Sequence, residues 1–264
     1  MISSQNLERG LTLIEYDITI KSNGDKPMEQ SKRETVVIWG DSLAKGVVWN
    51  AARKRHAYSK TTAADIVAER LNIELVNRAK FGCTAPEGLA IMEREIEDGI
   101  DCDTALIEFG GNDCNFDWKA ISERPDDEHL PATSPEAYQE SVRTMVKNLL
   151  KQGIQPVLMT LPPIDAERYF RFLAGDTLNR ENILRWLGDV QQIYRYQEMY
   201  SLLVEKVARE FSIRLIDLRS RCLAERNFFR DMLCEDGLHL NEEGQQFIGE
   251  QIAQLVQQEH RKAG

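Results

Sequence analysis

Residues Thr35-Val36-Val37-Ile38-Trp39 are a run of β-branched and aromatic side chains that stops abruptly at Gly40-Asp41-Ser42. A short, continuously apolar run of this kind predicts a buried strand. The pattern recurs at 73–76, 104–109, 156–160 and 213–216. Segments of helical period lie between these runs. One covers 61–71, and a second starts at Thr84, whose spacing to Glu87 is that of a capping box. Ser134-Pro135-Glu136 supplies cap, proline and acid for a third, with Tyr138, Val142, Met145, Val146, Leu149 and Leu150 on its apolar face. A long helix carries Val190, Ile193, Tyr194, Gln197, Val204 and Val207 along one side. The last, capped by Asn241, turns Phe247, Ile248, Ile252, Leu255 and Val256 inward. Strands alternating with helices predict a parallel five-stranded sheet covered on both faces.

Three stretches resist this pattern. Arg53-Lys54-Arg55-His56 reads as a basic, polar segment. Residues 114–134 read as an acidic, proline-containing loop, too long for an ordinary connection and so a candidate functional insertion. Residues 164–188 carry Tyr169, Phe170, Phe172 and Trp186 without a readable fold. At the amino end, Leu11, Leu13, Tyr16, Ile18 and Ile20 alternate in places, predicting a strand or hairpin before a polar linker. The expected division is an N-terminal extension over 1–34, an extra edge or a dimer contact, and one catalytic domain over 35–264.

With 33 Lys+Arg against 43 Asp+Glu the net charge is −10, which repels polyphosphate backbones and argues against general nucleic-acid binding. The five cysteines are irregularly spaced, without a CxxC pair. They suggest free thiols in a reducing compartment rather than a metal knuckle. No secretory leader or membrane span is visible, and the expected location is the cytoplasm.

Three strand ends, at Gly40-Asp41-Ser42, at Asn77 to Thr84 and at Gly110-Gly111-Asn112-Asp113, fall on the same edge of such a sheet. That edge is where open α/β sheets bind ligands. A fourth polar cluster, Asp236-Gly237-Leu238-His239, precedes the final helix. Ser42 is a candidate nucleophile, inert unless a base accepts its proton. His239 is the candidate base among four histidines, with His129 a minor rival. Asp236, three residues earlier, can reach the ring's far nitrogen, fix its tautomer and stabilise the imidazolium. The backbone N–H groups of Ser42 and Gly82 and the side-chain NH₂ of Asn112 are candidate oxyanion donors. Asp41 and Asp113 are read as supporting groups. Taken singly, Ser42 would serve as a helix cap, Asn112-Asp113 as a turn and cap, and Asp236 to His239 as a turn. Their joint appearance, in order and at one edge, favours chemistry.

These motifs resemble those of the SGNH, or GDSL, family of serine esterases and lipases. Gly40-Asp41-Ser42-Leu43 matches the family's first block, Gly82 the glycine of its second, Gly110-Gly111-Asn112-Asp113 its third and Asp236 to His239 its last. Lys80-Phe81 precede Gly82, where many members carry smaller residues. The resemblance implies a flavodoxin-like three-layer α/β/α sandwich. It also implies hydrolysis of ester bonds through an acyl-serine intermediate, without a metal or other cofactor.

The expected function is hydrolysis of a small or medium carboxylic ester, carbohydrate deacetylation included, with a small molecule as partner and homo-oligomerisation left open. No interfacial anchor speaks for lipase action on membranes. Acyl transfer or thioesterase action by the same serine, and a catalytically silent binding protein on the same fold, are the alternatives. Nucleotide binding is disfavoured, since neither GxGxxG nor a P-loop follows the first strand.

Overall fold

A computed structural model describes residues 33–263 apart from residue 176. All but the last two residues of the expected N-terminal extension lie outside the described residues. Among the described residues there are seven strands: β1 Thr35–Gly40, β2 Val47–Asn50, β3 Arg55–Tyr58, β4 Glu74–Asn77, β5 Thr104–Glu108, β6 Gln155–Met159 and β7 Arg214–Ile216. The helices are α1 Ala63–Leu71, α2 Ala85–Glu97, α3 Trp118–Glu123, α4 Pro135–Lys151, α5 Ala166–Ala174, α6 Arg180–Leu187, α7 Gln192–Phe211, α8 Leu218–Ala224, α9 Phe228–Asp231 and α10 Glu242–Ala263.

Five strands pair in parallel in the order β4-β1-β5-β6-β7. The first core strand is thus flanked by the second and the third, so the order reverses there. A crevice opens at such a reversal, beyond the carboxyl ends of β1 and β5. Alternate residues of the strands feed two cores. Val37, Trp39, Ala105, Ile107 and Leu158 pack under α2, α4 and α7. Val157, Met159 and Ile216 pack under α1, α8 and α10. This is the three-layer α/β/α sandwich.

Local chemistry explains the helix starts. Thr62 and Asp65 form a reciprocal capping box on α1. Glu87 Oε2 accepts from both the N–H and the hydroxyl of Thr84 at the head of α2. Ser134 Oγ accepts from Ala137 N–H ahead of α4, and Asn241 Oδ1 accepts from Gly244 N–H in the first turn of α10.

The three unreadable stretches are structured. The basic segment runs from the turn, which holds Arg53 and Lys54, into the second arm of an antiparallel β2–β3 hairpin, with Trp49 opposite His56. Residues 114–134 hold α3, and residues 164–188 hold α5 and α6. Phe116, Trp118, Ile121, Ile164, Phe170 and Ile183 pack there into a third apolar cluster. Among the described residues no helix is long and apolar enough to cross a membrane.

Candidate active site

The turn after β1 carries Asp41 and Ser42. Asp41 is buried, and its Oδ1 accepts from Leu43 N–H at 2.9 Å. Its Oδ2 accepts from Asn112 Nδ2 at 3.2 Å. Burial pushes the Asp41 carboxyl up to about 6, against the hydrogen bonds it accepts and the charge of His239. Glu108, at the end of β5, lies buried beside this turn and takes Ala44 N–H at 3.3 Å. Burial and then the neighbouring Asp41 raise its carboxyl well above the usual range. Asn77, closing β4, ties the turn from the other flank by donating to Ala44 O at 2.7 Å.

His239 comes from the loop between α9 and α10. Its Nε2 lies 2.9 Å from Ser42 Oγ, across 197 residues of chain. Its Nδ1 lies 2.7 Å from Asp236 Oδ2. Asp236 Oδ1 accepts from the N–H groups of Leu238 and His239 at 3.0 and 2.9 Å. Burial alone would raise the Asp236 carboxyl, but the bond and charge from His239 and these backbone donors outweigh it, and the net shift is downward. A carboxylate only accepts, so the proton of neutral His239 resides on Nδ1 and Nε2 is the acceptor for the serine hydroxyl.

The loop is held rigidly. Leu233 and Leu240 form a bridge. Arg168 on α5 reaches the carbonyls of Leu233, Cys234 and Phe229 at 3.3, 3.1 and 2.7 Å. Gly237 sits at φ 69°, and a Cβ there would fall 2.7 Å from Tyr169 N, so only glycine lets α5 approach. Trp49 N–H of the hairpin donates to Cys234 Sγ at 3.2 Å, and that thiol faces Leu240 O at 3.3 Å.

The candidate oxyanion donors are arranged unevenly. Among the described residues no acceptor takes the N–H of Ser42 or of Gly82. Asn112 Nδ2 lies 3.2 Å from Asp41 Oδ2 and 3.1 Å from Cys83 O, so its orientation is fixed by two long bonds. Gly82, at φ 76°, is exposed, and the neighbouring Phe81, not Gly82, lines the cleft. Asp113 is buried and does not line the cleft. Both its oxygens accept from Ala85 N–H, at 2.9 and 3.1 Å, so it holds the first turn of α2 beside the site. Burial lifts its carboxyl to about 6.

Ser42, His239, Asp236 and Asn112 line a cleft of about 260 Å³, walled by Leu161, Pro162, Ile164, Tyr169, Phe172 and Leu173. His56 lines it too, and sequence reasoning missed it. Its Nε2 lies 3.7 Å from Asp236 Oδ2, and its ring meets that of His239 edge-on at 4.8 Å. The available signal was the pair of apolar runs at Val47-Val48-Trp49 and His56-Ala57-Tyr58, a hairpin pattern hidden by the intervening arginines and lysine. His129 is no rival: it bonds Arg124 O and packs on Trp186.

A serine, an imidazole and a carboxylate in one hydrogen-bonded line at the switch point of a parallel sheet is an arrangement that serine-type hydrolases use. Residues 38–247 match the GDSL-like Lipase/Acylhydrolase family, and the chain belongs to that family of ester-hydrolysing enzymes. It is 26% identical over 239 residues to a GDSL esterase/lipase of Arabidopsis thaliana, covering 86% of this chain and 87% of the relative. Among solved structures, the lipase/acylhydrolase from Enterococcus faecalis superposes with TM-score 0.59 at 19% identity, over 84% of this chain and 95% of that one. Est24, a carbohydrate acetylesterase from Sinorhizobium meliloti, gives 0.58 at 16% identity, over 85% and 98%. At these identities the structural likenesses speak for the fold.

Proposed function

We propose that residues 35–264 act as a serine esterase on small or medium carboxylic esters. The observation that carries this reading is the unbroken line from Ser42 Oγ through His239 to Asp236, opening on a cleft of about 260 Å³. In the reaction Ser42 Oγ attacks the ester carbonyl while its proton passes to His239 Nε2, and Asp236 stabilises the imidazolium. The N–H groups of Ser42 and Gly82, which have no acceptor among the described residues, receive the developing oxyanion, Gly82 from beside the cleft, and the Asn112 amide joins them by giving up one of its two long bonds. Collapse expels the alcohol, which takes the proton from Nε2. Water, deprotonated by the same nitrogen, then releases the carboxylic acid and restores the serine.

The cleft volume falls just below the usual range of ligand pockets, and its wall of Leu161, Pro162, Ile164 and Leu173 suits a short acyl chain. Acetylated carbohydrates belong to this substrate class, and the fold shared with Est24 supports including them. The test is turnover of p-nitrophenyl esters of increasing acyl length. Acetyl to hexanoyl esters should exceed palmitoyl, and Ser42→Ala should abolish turnover and labelling by a fluorophosphonate probe. Equal rates for wild type and Ser42→Ala would overturn the reading.

A further inference from the structure

His56 belongs to none of the family motifs, yet the hairpin brings it against the two groups that matter most. One ring nitrogen each of His56 and His239 and a carboxylate oxygen of Asp236 all lie within 4.8 Å of one another. Two imidazoles and a carboxylate are a donor set suited to zinc and its neighbours among divalent transition metals. His56 is about one-third exposed, so an ion can reach it from the cleft, and a chain of net charge −10 attracts cations.

We propose that His56, Asp236 and His239 form an inhibitory zinc site, with the ion seated between His56 Nε2, Asp236 Oδ2 and His239 Nδ1 and solvent completing its shell. Bonds of about 2.0–2.2 Å to each ligand require the His56 ring to swing inward and the 2.7 Å contact between Asp236 and His239 to open. The chemical consequence follows from the tautomer. Zinc needs the Nδ1 lone pair, so the proton that resided there moves through solvent to Nε2. No proton is gained or lost overall. Nε2 then points a proton at Ser42 Oγ and no longer accepts one, and the base is gone while the serine stays in place. The inhibition rests on the proposed roles of Ser42 and His239; the binding does not.

The two are tested separately. Isothermal titration of Ser42→Ala, which keeps all three ligands, with zinc chloride should show one site per chain. Changes around a metal ligand already cost about 10–100-fold in affinity, so adding His56→Gln should weaken that site at least about tenfold. Adding His56→Cys in its place, which restores a donor, should recover it. In the wild-type background zinc should inhibit ester turnover reversibly, with EDTA restoring the rate. Each variant's loss is measured against its own zinc-free rate, and His56→Gln should be the less sensitive. Zinc binding of equal strength with and without His56, or no stoichiometric binding to Ser42→Ala, would overturn the proposal whether or not the esterase reading stands.

Discussion

Asn112, the proposed side-chain oxyanion donor, is held in position by two long bonds, to Asp41 Oδ2 and Cys83 O, and exchanges one of them for the oxyanion. Preorganised donors of this kind act on the transition state more than on the ground state. Asn112→Ala should therefore lower kcat by about 10²–10³-fold and leave KM within a few-fold, as steady-state kinetics on p-nitrophenyl acetate would record. Asp113 poses a different question. Its carboxyl rises from 3.8 to about 6 in the folded chain. Between those values the native state holds the proton that the unfolded state has released, so stability falls as pH rises through that window. The penalty amounts to about 3 kcal/mol and is complete above it. Asp113→Asn cannot ionise, so its stability should vary less than that of wild type between pH 4 and pH 7 in urea titrations. Parallel curves would show that the burial cost is met in another way. The sequence named Ser42, Asp236, His239 and Asn112 because each sits in a short motif at a strand end. His56 escaped because its place depends on which way a hairpin folds over the sheet, and no local spacing encodes that.

At the scale of elements, the core strands and the amphipathic helices were legible because burial on both faces writes continuous apolar runs into the strands and burial on one face writes a period of 3.6 into the helices. Boundaries moved by a residue or so. The β2–β3 hairpin and helices α3, α5 and α6 were not legible. They are short, and the apolar residues of the three helices face one another in a separate cluster instead of the main core, so no long period develops. Two substitutions probe how elements hold the site. A Cβ on Gly88 of α2 would lie 2.2 Å from Phe109 Cζ, and rings in such a core have little room to yield. Gly88→Ala should cost about 1–3 kcal/mol, read as a lower urea midpoint. Arg168 bonds three carbonyls around the His239 loop from α5. Arg168→Lys keeps the charge but loses the planar fork, and should lower kcat while far-UV circular dichroism is unchanged.

At the scale of the molecule, the groups proposed to react lie near the two ends of the folded sequence, so the proposed site exists only when the sheet is complete. The five cysteines register the same cooperativity. All are free, and burial is the leading cause that raises each thiol above its usual range. Cys234 is pushed up to about 11 from 9.0, which leaves roughly a hundredfold less thiolate at neutral pH. Iodoacetamide should label this thiol in urea far faster than in buffer, as peptide mass spectrometry would quantify. The same sulfur buttons the hairpin to the loop that bears His239. An adduct or an oxygen on it has no room while that seam is shut. A stored sample found oxidised at Cys234 has therefore already come apart at the seam, and the lesion dates the opening without having caused it.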